Sequence, residues 1–145
     1  MLKLENIVAG YGHITALKDI SLEVPQGSIV SLIGANGAGK STTMKTIMGL
    51  VKPTSGKVLF EGQDITGHKT HQIVHGGISL VPEGRQILQD MSVYENLEMG
   101  AYIRNDNEIE EDIKKVFKRF PILDERSYQL LSLIHISEPT RRRGI

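Results

Sequence analysis

The 145-residue chain contains no cysteine, which excludes a disulfide frame, a thiol nucleophile and a cysteine-ligated metal. A reducing setting fits that absence. Neither charge is in excess: 17 basic residues balance 17 acidic ones, which argues against a dedicated nucleic-acid or acidic-lipid binder. No apolar run approaches the roughly 20 residues that cross a bilayer. The start, Met1-Leu2-Lys3-Leu4-Glu5-Asn6, lacks the apolar core of a signal peptide. What remains is the composition of an ordinary globular domain, or of part of a larger one.

The first third reads as strands and turns. Leu2 to Ala9 alternates loosely, and Gly10-Tyr11-Gly12 breaks it. Ile20, Leu22 and Val24 alternate with Ser21 and Glu23, the period of a half-buried strand. After the turn at Pro25-Gln26-Gly27, Ser28 to Ile33 is nearly all apolar, as a strand buried on both faces would be. A glycine-rich loop follows, then a helix from Lys40 to Met48 closed by Gly49. Lys57 to Phe60 reads as a short strand turning at Glu61-Gly62. His68 to His75 reads as a short helix, and Ile78 to Val81 as a second buried strand. Ser92-Val93-Tyr94-Glu95 is a capping box that opens a helix. A last helix, from Ile109, places Ile113, Val116, Phe117 and Phe120 on one face, with acids early and bases late, and Pro121 ends it.

The chemistry concentrates in Gly34-Ala35-Asn36-Gly37-Ala38-Gly39-Lys40-Ser41, which fits the phosphate-binding pattern G-x-x-x-x-G-K-[ST] between a strand and a helix. Glycines at 34, 37 and 39 let the backbone turn tightly and approach an anion. Successive N–H groups and the helix N-terminus then face it with partial positive charge. Lys40 supplies a point charge for the β- and γ-phosphates. The Ser41 hydroxyl suits Mg²⁺, a hard cation that prefers oxygen. Thr42 adds a hydroxyl near the α- or β-phosphate. By itself this motif specifies a nucleoside triphosphate and no particular reaction. His68, His71 and His75 have helical spacing, but without a further ligand they read as a polar helix face.

Around this loop stand Tyr11-Gly12 one strand ahead, Val81-Pro82-Glu83-Gly84-Arg85 after the next apolar strand, and Val93-Tyr94-Glu95-Asn96-Leu97 beyond. Together these motifs resemble the ATP-binding subunit of ABC transporters, in particular the ATPase of branched-chain amino acid importers, the LivF type. The resemblance covers about residues 1–130. It implies an α/β P-loop fold with an antiparallel β-subdomain and the start of a helical subdomain near Ser92. It implies that Tyr11 stacks on adenine, that Ala16 lies beside the nucleotide, and that residues 34–42 hold ATP. Glu83 stands where most of the family has glutamine, so a carboxylate would meet Mg²⁺ and the attacking water, as in the LivF-like group. Arg85, Gln86 and Ile87 to Met91 would face the transmembrane permease subunits. Further implied are a second ATPase subunit, a place on the inner face of the cell membrane, and ATP hydrolysis driving import.

The family's L-S-G-G-Q signature, Asp-Glu strand and switch histidine are absent from the sequence. Leu131-Ser132 is followed by Leu133-Ile134 in place of two glycines. Residues 131–145 have no clear period and are similar to the translation of a transposase adapter used in sequencing libraries. The expectation is therefore a partial ATP-binding domain over 1–130 with a non-native tail over 131–145. Exposed apolar edges and poor solubility would follow. Taken literally, the 145 residues would be a non-catalytic nucleotide binder. An ABC ATPase for another cargo is the nearer alternative. A P-loop GTPase or small-molecule kinase is disfavoured, because no N-K-x-D base-reading motif is present.

Overall fold

In the computed structural model, which describes residues 1–84 and 86–134, strand β1 spans Leu2–Tyr11 and β2 spans Ile14–Val24. They form an antiparallel hairpin in which Tyr11 faces Ile14, so the strand runs through Gly10 and turns only at Gly12-His13. The loose alternation of β1 has a local cause. Leu4, Ile7 and Ala9 are buried, which is not a period of two. Asn6 and Asp19 both take left-handed backbone, φ 50° and 55°, and the register shifts between Leu4 and Ile7. Asn and Asp tolerate that region better than other non-glycine residues. The Asn6 amide donates to Asp19 Oδ1 at 2.7 Å, and its backbone N–H to Ser21 Oγ at 2.9 Å. The bulge resets which face is buried.

Helix α1 (Lys40–Ile47) is followed by β3 (Ser55–Phe60), β4 (Gln63–Asp64) and α2 (Thr70–His75). The sheet order is β2-β1-β3-β4. Glu61 and Gly62, at φ 50° and 79°, form the two-residue turn between β3 and β4, both left-handed as a tight hairpin requires. Leu4, Ile7, Ala9, Leu17 and Val58 from the sheet pack with Ile47 and Val51 from α1 and its exit. This core fixes α1 against β1 and β2.

Two expected strands are not formed. Ser28–Ile33 and Ile78–Val81 carry no strand pairing, and Ile29, Ile33 and Val81 are more than nine-tenths exposed. A strand buried on both faces needs hydrogen-bonding neighbours and covering layers. Among the described residues, no strand pairs with either segment, although Ile78 and Leu80 are half-buried and Ile78 packs against the core of the first unit.

The chain divides into two units, Met1–Val81 and Pro82–Ile145. The second holds α3 (Val93–Gly100), α4 (Ile109–Arg119), α5 (Pro121–Glu125) and α6 (Leu131–Ile134). The capping box is built as read: Ser92 Oγ accepts from the Glu95 N–H at 3.2 Å, and Glu95 Oε2 accepts from the Ser92 N–H at 2.7 Å. The Ser92 hydroxyl also donates to Glu95 Oε2, at 2.9 Å, and the Ser92 N–H and hydroxyl together hold the Glu95 carboxyl below its ordinary value. A lowered pKa means that its contribution is present above the unfolded value and is lost as pH falls through the folded one. Ser92→Ala is expected to cost about 1 kcal/mol of stability and to move the Glu95 titration upward. A pH series of carboxyl NMR shifts reads the second effect, and an unmoved Glu95 would refute it.

On α4, Ile113 is buried and Val116 and Phe117 are half-buried, as the periodicity predicts. Phe120 departs from that face and is 52% exposed, because the helix ends at Arg119 and Phe120 is extended at φ −131° ahead of α5. Arg104 joins Asp106 and Asp112, with Nε–Oδ2 and Nη1–Oδ2 distances of 2.7 and 2.6 Å. At the start of the expected tail, the Leu131 N–H donates to Met91 O at 3.1 Å and the Ser132 N–H to Gln89 O at 3.0 Å. Residues 135–145 lie outside the described part.

Candidate functional site

Three pieces of the first unit meet around α1: the end of β1, the start of β2 and the loop at residues 34–39. Gly37 and Gly39 adopt φ 82° and 91°, values that favour glycine, whereas Gly34 does not have a positive φ. Gly39 is buried, and close approach constrains it as well. A Cβ there would lie 2.6 Å from Leu17 Cδ2 and 3.1 Å from Ala16 O. The hairpin strand β2 is therefore the wall on which the last loop glycine rests. Ala16, half-buried, meets the loop through its backbone.

Gly39 is also the N-cap of α1, and it supplies no side-chain acceptor. No acidic residue lies in the first turn. The free N–H groups there are left for an outside acceptor, which fits an anion. Lys40 bends back over the loop, its Nζ donating to Gly34 O and Ala35 O at 2.7 Å each. Ser41 is exposed in the first turn. Thr42 is buried at 8% exposure, on the core side of the helix. The helix has few strong helix formers, and its buried hydroxyls are satisfied internally. Thr43 Oγ1 donates to Gly39 O at 3.0 Å and Thr46 Oγ1 to Thr42 O at 2.8 Å. The Thr43 hydroxyl thus bonds the cap glycine itself, a support that the motif pattern does not include.

Tyr11, at the end of β1, is 49% exposed. Its ring lies against α1, with Lys45 Nζ 6.0 Å from the ring centroid. Tyr11, Ala16 and residues 34–42 are accordingly assembled in one unit. Glu83 belongs to the other and is exposed there. Arg85 lies outside the described residues. No group of three histidines or carboxylates forms a metal cage among the described residues. His71 and His75 are exposed on α2, in keeping with a polar helix face, whereas His68, also exposed, precedes the helix, which starts at Thr70 rather than at His68. A hard cation at the loop would rely on the Ser41 hydroxyl and on oxygens of its ligand, the usual habit of Mg²⁺ with phosphates.

In the second unit, Asn96 organises the segment before α3. Its Oδ1 accepts from the Leu88 N–H at 2.9 Å, and its Nδ2 donates to Leu88 O at 3.0 Å and Ser92 O at 2.9 Å. Ile87 and Leu88 are held exposed, at 38% and 46%. The sequence flagged the apolar segment and the capping box, but not Asn96 as the residue that shapes the turn between them.

A glycine loop on an uncapped helix, a lysine over it and a wall of antiparallel strand define a P-loop nucleotide-binding domain. Comparison with known proteins narrows the class. The family model for ABC transporters matches residues 17–143. The high-affinity branched-chain amino acid transport ATP-binding protein BraG of Pseudomonas aeruginosa is 41% identical over 129 residues, covering 89% of this chain and 55% of that protein. LivG of Methanocaldococcus jannaschii, also named for branched-chain amino acid transport, is 33% identical over 145 residues, covering 99% of this chain and 56% of that protein. The solved structure of MJ1267, an ATP-binding cassette of an ABC transporter, superposes with a TM-score of 0.75 at 30% identity, covering 94% of this chain and 62% of that one. Relatives named for lipopolysaccharide export and ribose import are similar too. This chain belongs to the ABC transporter ATP-binding family, and its fold is that of the N-terminal part of such a cassette. It spans about half the length of the curated relatives it matches.

Proposed function

We propose that the first unit binds Mg-ATP at residues 34–42, and that the protein to which this sequence belongs is the ATPase of a branched-chain amino acid importer. The uncapped start of α1, with Lys40 above it and no acid in its first turn, carries the reading. The backbone N–H groups of Gly37 to Thr42 take the phosphates, and Lys40 moves from the loop carbonyls to the β- and γ-phosphates. Tyr11 stacks on adenine, and Ala16 lines the nucleotide. Ser41 is the oxygen donor proposed for Mg²⁺ in this unit; for the whole protein, the family resemblance supports a role for Glu83 toward Mg²⁺ and the attacking water. When bound, Mg²⁺ neutralises charge on the phosphates. The 41% identity to BraG supports the cargo. Transmembrane permease subunits, a second ATPase subunit and the inner membrane face complete the proposal for the whole protein. Gln86 to Met91 form the docking segment, with Arg85 at its edge.

For the 145 residues themselves, we propose nucleotide binding without turnover, with residues 1–130 the partial domain and 131–145 a non-native tail. Ser28–Ile33 and Ile78–Val81 would be core strands of the complete sheet. Titration with Mg-ATP and Mg-GTP, together with a phosphate-release assay, tests this. The expected result is binding with ATP preferred and no release above background. A GTP preference would overturn the adenine reading. Release that disappears in Lys40→Ala would overturn the non-catalytic one.

A further inference from the structure

We propose that Lys45 is a positioning residue for base recognition, holding the Tyr11 ring in place for the incoming adenine. The inference rests on the reading of Tyr11 as the base-stacking residue. Two lysines of α1 have different partners: Lys40 Nζ is bound to the carbonyls of Gly34 and Ala35, whereas Lys45 Nζ lies over the Tyr11 ring, 6.0 Å from its centroid. Tyr11 is the last residue of β1, half exposed, and its cross-strand partner Ile14 is 73% exposed. A cation over one face orients the ring and leaves the opposite face open. A ring already oriented loses less rotational freedom when a base stacks on it, which favours binding.

Lys45 is exposed, and both methionine and arginine are good helix formers, so either replacement leaves α1 intact. Isothermal titration is performed with Mg-ATP and, as a probe without a base, with inorganic tripolyphosphate. The parent chain, Lys45→Met, Lys45→Arg, Tyr11→Leu and the double variant Lys45→Met/Tyr11→Leu are compared. Lys45→Met is expected to weaken ATP binding about twofold to fivefold, the size of an exposed cation–π contact, with Lys45→Arg close to the parent. The effect vanishes in the Tyr11→Leu background and is absent for tripolyphosphate. If Lys45→Met weakens tripolyphosphate equally, or still weakens ATP without Tyr11, Lys45 acts on phosphate charge and the inference is overturned. Unchanged or tighter ATP binding in Lys45→Met overturns it as well. Unchanged ATP binding in Tyr11→Leu has a different meaning: it removes the stacking reading itself, and the inference with it.

Discussion

Lys40→Ala is expected to weaken Mg-ATP binding about 10- to 100-fold while leaving the thermal midpoint within about 4 °C of the parent. The two effects separate because of where Lys40 spends its charge. Its hydrogen bonds to Gly34 O and Ala35 O are short, 2.7 Å each, but both carbonyls belong to exposed loop residues. Water takes over those acceptors when the ammonium is removed, so the folded state loses little, about 0.5 kcal/mol or less as for most surface changes. A phosphate has no such substitute. A hydrogen bond to a charged group contributes roughly 1.5–3 kcal/mol, and each 1.4 kcal/mol is about tenfold in affinity. Arginine would not restore binding, since its planar fork cannot stand in for a compact ammonium at the loop. Titration calorimetry and melting of the same samples check both halves. An affinity within twofold of the parent would sink the assignment of Lys40. A large fall in the midpoint would show instead that the lysine holds the loop together.

What the sequence disclosed was mostly local. The capping box at Ser92 and Glu95, the Glu61-Gly62 turn, the start of α1 at Lys40 and the left-handed Gly49 after it depend on residues within one turn of each other, and they stand where they were read. The phosphate loop is legible for the same reason. Misreadings arose where burial is decided by something distant. Ser28–Ile33 and Ile78–Val81 are as apolar as core strands, but an apolar run states only what would be buried if neighbours were present. The bulge at Asn6 and Asp19 was hidden because it needs two strands in register, and Asn6 alone is an unremarkable polar residue in an irregular alternation. Asn96 was missed because its three backbone partners lie four to eight residues upstream, in a segment without periodicity. The support of Gly39 by Leu17 joins positions 22 residues apart, a distance at which no motif speaks.

That support leads to the other large effect. Leu17→Ala is expected to lower the stability of the first unit by about 2–5 kcal/mol, the usual cost of emptying a buried leucine site. Leu17 is 2% exposed and packs in the core shared by β1, α1 and β3. Against a total of roughly 5–15 kcal/mol for a typical domain, and about 4–8 °C per kcal/mol for one of this size, the midpoint should fall by about 8 °C or more. Nucleotide binding should weaken too, since the side chain removed is the one against which Gly39 rests. The order of events then differs from Lys40→Ala. There affinity falls and stability stays; here stability falls, and saturating Mg-ATP returns part of it, about 2.7 kcal/mol at a hundredfold excess over Kd. Thermal melts with and without Mg-ATP distinguish the two variants. A second substitution tests the contact itself. Gly39→Ala should bind poorly in both backgrounds, because trimming Leu17 clears the 2.6 Å contact but leaves Ala16 O at 3.1 Å and the backbone at φ 91°. If Leu17→Ala melts within about 3 °C of the parent, the strand does not carry the loop, and the nucleotide site must be held by α1 alone.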